Sequence, residues 1–322
     1  MFNISLDKNV DAALLLLSKF SRPDNIEHYA NDFNWHAVLG ENPKEVINGF
    51  NKEGLIYEGN IKEKLDSFLT IEDLKDRLGK EDLKLSGNKN ELLDRLIEEK
   101  KDTLEKEFAD KRVYKCTDRG LQRSNEYLIN KNEELKILEK NIFNFLKLKE
   151  FNKVFLTLDH FNRKQVFPRS LNKDYWNSFT IKHFSDVLKV IFNRIPKILE
   201  DENSSNIEIL RLSSGMMALF GNNRICEIIN IKYPNIKTKR KFDVSSRMMI
   251  FFAQNLLNLQ KLKELHHNKI RILTASDSCI KCKEIAQGLI NIESVIELPY
   301  SECTHKYGCR CSYIQPIFID QH

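Results

Sequence analysis

Five cysteines crowd the C-terminal end: Cys279 and Cys282 in a Cys-Ile-Lys-Cys step, then Cys303, Cys309 and Cys311, with His305 among them. Thiolates at this first spacing present two sulfurs on one side of a turn, and a second set further along completes a tetrahedron around zinc. Six candidate donors compete for four positions. Cys279, Cys282, Cys303 and Cys309 form the preferred set, with Cys311 the close rival and His305 a further contender. Four thiolates leave no open position for water, so the spacing predicts a structural zinc rather than a hydrolytic one. A redox pair at Cys279 and Cys282 is the alternative, with no βαβ pattern around it. Cys116 and Cys226 stand apart from the cluster. Such clustering suits an intracellular metal site better than a disulfide framework.

The elements that hold these thiols must be small. A tail of this length buries too little apolar surface to fold unaided, and metal binding would supply the missing folding energy. Ile285, Leu289, Ile292, Val295, Ile296 and Leu298, between the ligand sets, are expected to pack against Ile314, Ile317 and Phe318. The stretch Leu298-Pro299-Tyr300-Ser301-Glu302-Cys303 through Gly308-Cys309-Arg310-Cys311-Ser312-Tyr313 resembles the cysteine-rich ends of bacterial and phage proteins, including some phage head-morphogenesis proteins. That resemblance implies a bacterial or mobile-element context.

A second chemistry lies in residues 69–98. Leu69, Ile71, Leu74 and Leu78 fit one face of a short helix, and Leu92, Leu93, Leu96 and Ile97 repeat the pattern after a break. In the break, Ser86 is expected as N-cap with Gly87 allowing a tight entry, and Glu91 and Asp94 suit the positive end of the helix dipole. The stretch resembles a SAP domain, with Asp82 standing where the family usually has glycine before Leu83. The resemblance implies a helix-extended-helix hairpin that binds DNA through its turn and adjoining basic side chains, which here are Lys75, Ser86, Gly87, Asn88 and Lys89. The hairpin carries six basic and eight acidic residues. Packing against a protein partner is therefore its other reading.

Net charge is +5, unevenly placed: residues 151–278 hold 21 Lys and Arg against 11 Asp and Glu. The electropositive surface is expected there, with the hairpin adding position. Lys237, Lys239, Arg240 and Lys241 precede a long helix expected over 247–267, and a basic loop at a helix N-terminus grips phosphate. Phe161, Phe167, Tyr175, Trp176 and Phe179 alternate with Arg163, Lys164, Arg169, Lys173 and Lys182, a pattern that serves either single-strand stacking or a helical core.

Residues 1–66 read as short helices, with Pro43 suited to a first turn and Gly54 to a helix end. Their order resembles the start of a winged helix-turn-helix. Val113 to Gly120, a strand and turn before a helix over 121–129, resembles its end, which makes the SAP-like hairpin an insertion. The domains expected are thus a helical module over 1–130, a connecting helix over 131–150, a basic helical domain over 151–270 and a zinc-binding tail over 271–322.

With 322 residues, 41% hydrophobic and 30% charged, and only seven Pro and eleven Gly, the chain should be a folded, mainly α protein of several domains. The small C-terminal end should be zinc-ribbon-like or knuckle-like. The apolar run Ala12 to Leu17 is far below the roughly 20 residues of a membrane span. A cytoplasmic protein is expected. No phosphate loop, dinucleotide fingerprint, zinc-protease or nucleophile-elbow motif is present. Asp159-His160 alone hints at a nuclease, which would need several converging carboxylates. The sequence therefore reads as a non-enzymatic protein that binds duplex DNA. A nucleic-acid-processing enzyme with an illegible site, or an interaction scaffold, stands as the alternative.

Overall fold

No proline or glycine interrupts residues 121–147, and the chain forms a single helix of 30 residues there, Asp118–Lys147. The helix expected over 121–129 and the connector expected over 131–150 run together in it, and it stops at Lys147, three residues short of the expected end. The computed structural model describes residues 8–167, 178–221, 225–234 and 236–316. They are mainly helical, with a few short strands. Two compact units emerge, Met1–Lys136 with Lys164–Leu171, and Ile137–Arg163 with Asn172–His322.

In the first unit, the helices Lys8–Lys19, Phe33–Leu39 and Pro43–Lys52 bury Leu16, Leu17, Phe20, Trp35 and Ile47 together with Leu55 and Ile56. Asp32 and Asn42 cap the second and third of these by accepting from Asn34 and Lys44 backbone N–H groups. Phe167 stands edge-on to Trp35 with ring centres 4.8 Å apart, so it packs as core.

A small antiparallel sheet follows, with Val113–Cys116 in the centre and Asp24–Asn25 and Ile56–Glu58 on its sides. Tyr57 lies opposite Lys115. Between these two paired strands the chain builds Ile61–Phe68, Ile71–Lys80 and Lys89–Glu107. The last is a single element of 19 residues with a kink at Lys100 (φ −129°, ψ 25°).

In the second unit, Ser204–Phe220 packs on Phe242–Glu264 through buried serines, which let the two backbones approach. Ser214 Oγ donates to the Ser246 carbonyl at 2.9 Å and Ser246 Oγ lies 3.0 Å from Ser213 Oγ. The helix expected from 247 begins five residues earlier. Phe151–Lys164 and Ser178–Asn193 complete the helical layer together with Ile225–Lys232. The aromatic and basic residues Arg169, Lys173, Tyr175 and Trp176 lie outside the described residues, as does the side chain of Phe179.

The last described residues form a second antiparallel sheet: Lys269–Leu273 in the centre, flanked by Ile290–Asn291 and Ser312–Ile314, with the short helix Ile280–Ile285 between strands. Its core joins Ile270, Ile272, Ile292, Leu298 and Tyr313 to Leu262 of the long helix. The expected tail core is therefore only partly right. Leu289 and Ile296 are 44% and 40% exposed, and Ile317 and Phe318 lie outside the described residues. The tail shares its apolar core with the preceding helix because its own strands are too short to cover both faces. No helix among the described residues is long and apolar enough to cross a membrane.

Candidate metal centre and nucleic-acid-binding hairpin

The two ends of the tail bring the thiols together. Cys279 caps the helix Ile280–Ile285 and Cys282 lies one turn in, while Cys303, Cys309 and Cys311 arrive on the return of the chain. Cys279 Sγ stands 3.8 Å from Cys303 Sγ, and Cys282 Sγ 3.9 Å from Cys309 Sγ. Zinc–sulfur bonds of about 2.3 Å in a tetrahedron set sulfurs roughly 3.8 Å apart. The two pairs thus have the length of tetrahedron edges. Cys282 also groups with Cys309 and Cys311, and with Cys279 and Cys303. Cys282, Cys303, Cys309 and Cys311 are each 1% exposed.

Such crowding changes the thiols. Burial and the neighbouring Cys309 push Cys282 up, and the hydrogen bond with Cys309 and burial push Cys303 up. Cys279 is different: burial would raise it, but hydrogen bonds from Cys282 and Thr304 prevail and bring it down to about 6. Buried thiols this close favour the protonated form until a cation offsets their charge, and a coordinated thiol loses its proton outright. The donor set can hold a soft or borderline metal ion. Among the described residues, the clusters able to do so consist of cysteine alone. His305 is not in them. Its Nε2 faces Asp277 Oδ2 at 3.5 Å and its Nδ1 accepts from the Tyr307 N–H at 3.3 Å.

The returning strand is held by residues that spacing could not reveal. Asn255 and Asn258 of the long helix bond the backbone of Cys311 and Tyr313. Gly308 (φ +82°) lies so close to that helix that a Cβ there would stand 3.0 Å from Val244 Cγ1. Arg240 donates to the Cys303 carbonyl at 2.9 Å. Lys239 reaches Asp201 at 3.0 Å, its N–H donates to Glu202, and the Lys237 carbonyl accepts from Asn206. Lys241 is the N-cap of the long helix without a side-chain cap bond. The basic run is thus partly spent on joining the long helix to its neighbours. Asp159 pairs with Arg163 at 2.8 Å.

The hairpin of the first unit buries Leu74, Leu78, Leu92, Leu93 and Leu96 against Leu65 and Leu69, with Leu104 and Phe108 closing the far end. Thr70 and Asp73 form a capping box on its first helix, and Asn88 and Glu91 form one on its second. Asn88, not Ser86, is the N-cap, so the helix starts two residues later than expected, after the turn at Gly87 (φ +137°). Asp82, in the place of the family's glycine, has φ +55°. Aspartate is among the few non-glycine residues that enter this region readily.

Arg95 donates to the carbonyl groups of Lys84 and Ser86, which holds the turn. Ser86 and Lys75 are exposed, and Lys75 forms no ion pair among the described residues. Lys89, by contrast, donates to the Asp66 carbonyl at 2.6 Å and pairs with its carboxylate at 2.9 Å. Arg77 pairs with Glu107 and Lys100 with Glu81.

Comparison with known proteins locates one family. Residues 69–99 match the family model of the SAP domain. No curated protein and no solved structure matches the chain. The hairpin between the two paired strands is a SAP domain, and a SAP domain is a DNA-binding module.

Proposed function

We propose that this chain is a non-enzymatic, cytoplasmic protein that binds duplex DNA through the hairpin and folds its C-terminal end around one structural zinc ion. The observation that carries the DNA reading is the SAP domain at residues 69–99, built as two capped helices around an apolar seam with the turn 84–88 exposed. Lys75, Ser86, Gly87, Asn88 and Lys89 are the contact residues of this reading, and Lys237, Lys239, Arg240 and Lys241 a second phosphate-facing set. Its zinc ligands are Cys279, Cys282 and Cys303 with Cys309 or Cys311. The separation of the two sulfur pairs supports zinc. The ion would draw the tail closed and hold four thiolates charged. The likeness of the Cys-Arg-Cys ending to phage proteins supports a bacterial or mobile-element setting.

Titrating a labelled short duplex with the purified protein at several salt concentrations tests the DNA reading. Log affinity should fall linearly with log salt as counterions are released. Absence of binding at low salt would overturn it and favour a protein partner for the hairpin.

A further inference from the structure

The hairpin is not loosely tethered to the sheet from which it springs. Glu63 accepts from Tyr57 Oη at 2.9 Å and Lys115 Nζ at 3.0 Å, and the Gly59 N–H donates to the Val113 carbonyl at 2.8 Å. Two strands and the first helix of the insertion are therefore joined at its foot. Beside that foot lies an open cleft of about 380 Å³.

Its walls come from four places in the chain: Asn25 on the edge strand, Lys44 and Asn48 on the helix Pro43–Lys52, Phe68 on the first helix of the insertion, and Lys111 and Arg112 just before the central strand. Asn25 is 9% exposed. Its Oδ1 accepts from the Glu27 N–H at 3.1 Å, and its amide Nδ2 makes no hydrogen bond among the described residues. Arg112 is exposed and makes no side-chain hydrogen bond or ion pair among the described residues, while its carbonyl is fixed by the Ile26 N–H. Lys111 Nζ lies 5.9 Å from the centre of the Phe68 ring, and among the described residues Lys44 and Lys111 form ion pairs only with exposed carboxylates, Glu27 and Asp110, each at 3.4 Å. Both contacts are long and solvated, of the class that contributes little and exchanges freely. The cleft thus offers an amide donor, a guanidinium and two loosely held ammonium groups, set against two lining carboxylates, Glu27 and Asp110, which leaves one net positive charge in the concavity.

Converging donors with surplus positive charge suit a tetrahedral oxyanion. We propose that this cleft takes a backbone phosphate of the same nucleic acid that the hairpin binds, so that the helical module and the hairpin grip one duplex together. This rests on the DNA-binding reading above. The phosphate accepts from Asn25 Nδ2 and the Arg112 guanidinium, and displaces Lys44 and Lys111 from their carboxylates.

The test is the salt dependence of duplex binding by the full chain and by the variants Arg112→Ala, Lys44→Ala and Arg112→Lys. Arg112→Ala should lower the slope of log affinity against log salt by about 0.9, the value of one lost phosphate contact, and Lys44→Ala should lower it by a smaller amount. Arg112→Lys should keep the parent slope, and all variants should melt at the parent temperature. A parent that binds, with the slope unchanged in both alanine variants, overturns the cleft assignment and leaves the DNA reading standing. With those unchanged slopes, inorganic phosphate that shifts the Asn25 and Asn48 side-chain amide resonances would make the cleft a free-phosphate site instead. No binding by the parent at low salt overturns both readings.

Discussion

Asn255 Nδ2 donates to the Cys311 carbonyl at 3.1 Å, and its Oδ1 accepts from the Tyr313 N–H at 3.2 Å. One buried amide in the middle of the long helix thus takes the place of a neighbouring strand for the end of the chain. Replacing it by leucine would leave a buried carbonyl and a buried N–H unpaired, at about 1–3 kcal/mol each. Asn255→Leu is expected to lower the melting temperature and to weaken metal retention by the tail. Melting curves with and without a chelator check both effects.

Asp82 at φ +55° holds a conformation that glycine adopts without steric penalty. Asp82→Gly should leave stability unchanged or raise it by up to about 1 kcal/mol, whereas Asp82→Val should lower it by about 1–2 kcal/mol. Denaturant unfolding of the two variants gives the comparison. A valine variant as stable as the parent would show that the turn relaxes.

Leu92 is fully buried in the hairpin seam, and Lys75 is exposed on its surface. Leu92→Ala should cost about 2–5 kcal/mol by opening a cavity. Lys75→Ala should leave the melting temperature unchanged and weaken DNA binding with a smaller salt slope. Lys89→Ala removes the link to Asp66 as well as a contact candidate, so it should lower both affinity and, slightly, stability.

Elemental analysis of the purified chain should find one zinc per molecule. Cys282→Ser should abolish retention, since Cys282 belongs to both thiol groups. Cys309→Ser and Cys311→Ser should differ, and the variant that keeps its zinc names the cysteine outside the coordination sphere. Loss of the ion should loosen the packing of Leu262 along with the tail, because they share a core.

In the metal-free protein, Cys279 should be the first thiol alkylated at neutral pH. Its folded value near 6 lies below the ordinary thiol value, so the hydrogen bonds to its thiolate contribute stability at alkaline pH. That contribution is complete above the ordinary thiol pKa and is lost as pH falls through about 6. Cys282 and Cys303, held protonated, should react later. Peptide mapping after brief alkylation across that pH range reads the order, and equal rates would contradict it.

Helix content and the hairpin were legible because both depend on neighbours in sequence. Leucines at helical spacing and side-chain caps a few residues apart act within one or two turns, so Leu74, Leu78, Leu92 and Leu96 mark their seam without knowledge of the rest. The clustering of thiols was legible too, since CxxC spacing brings two sulfurs together by local geometry. Ser86 was misread as the cap because Ser and Asn compete for that place on equal chemical terms, and the φ of Gly87 decided between them.

Sequence alone determined the SAP hairpin, the mainly helical class and the crowding of thiols at the candidate metal centre, all carried by short-range pattern. Tertiary structure decided which chain segments close on one another: the hairpin rising from two paired strands, Asn255 holding Cys311, Arg240 turned to Cys303, and Asn25 meeting Lys44 and Arg112 in one cleft. Those contacts join residues tens of positions apart through backbone groups and long polar side chains. Such groups bond whatever the fold brings near, so their partners leave no periodic trace in the chain.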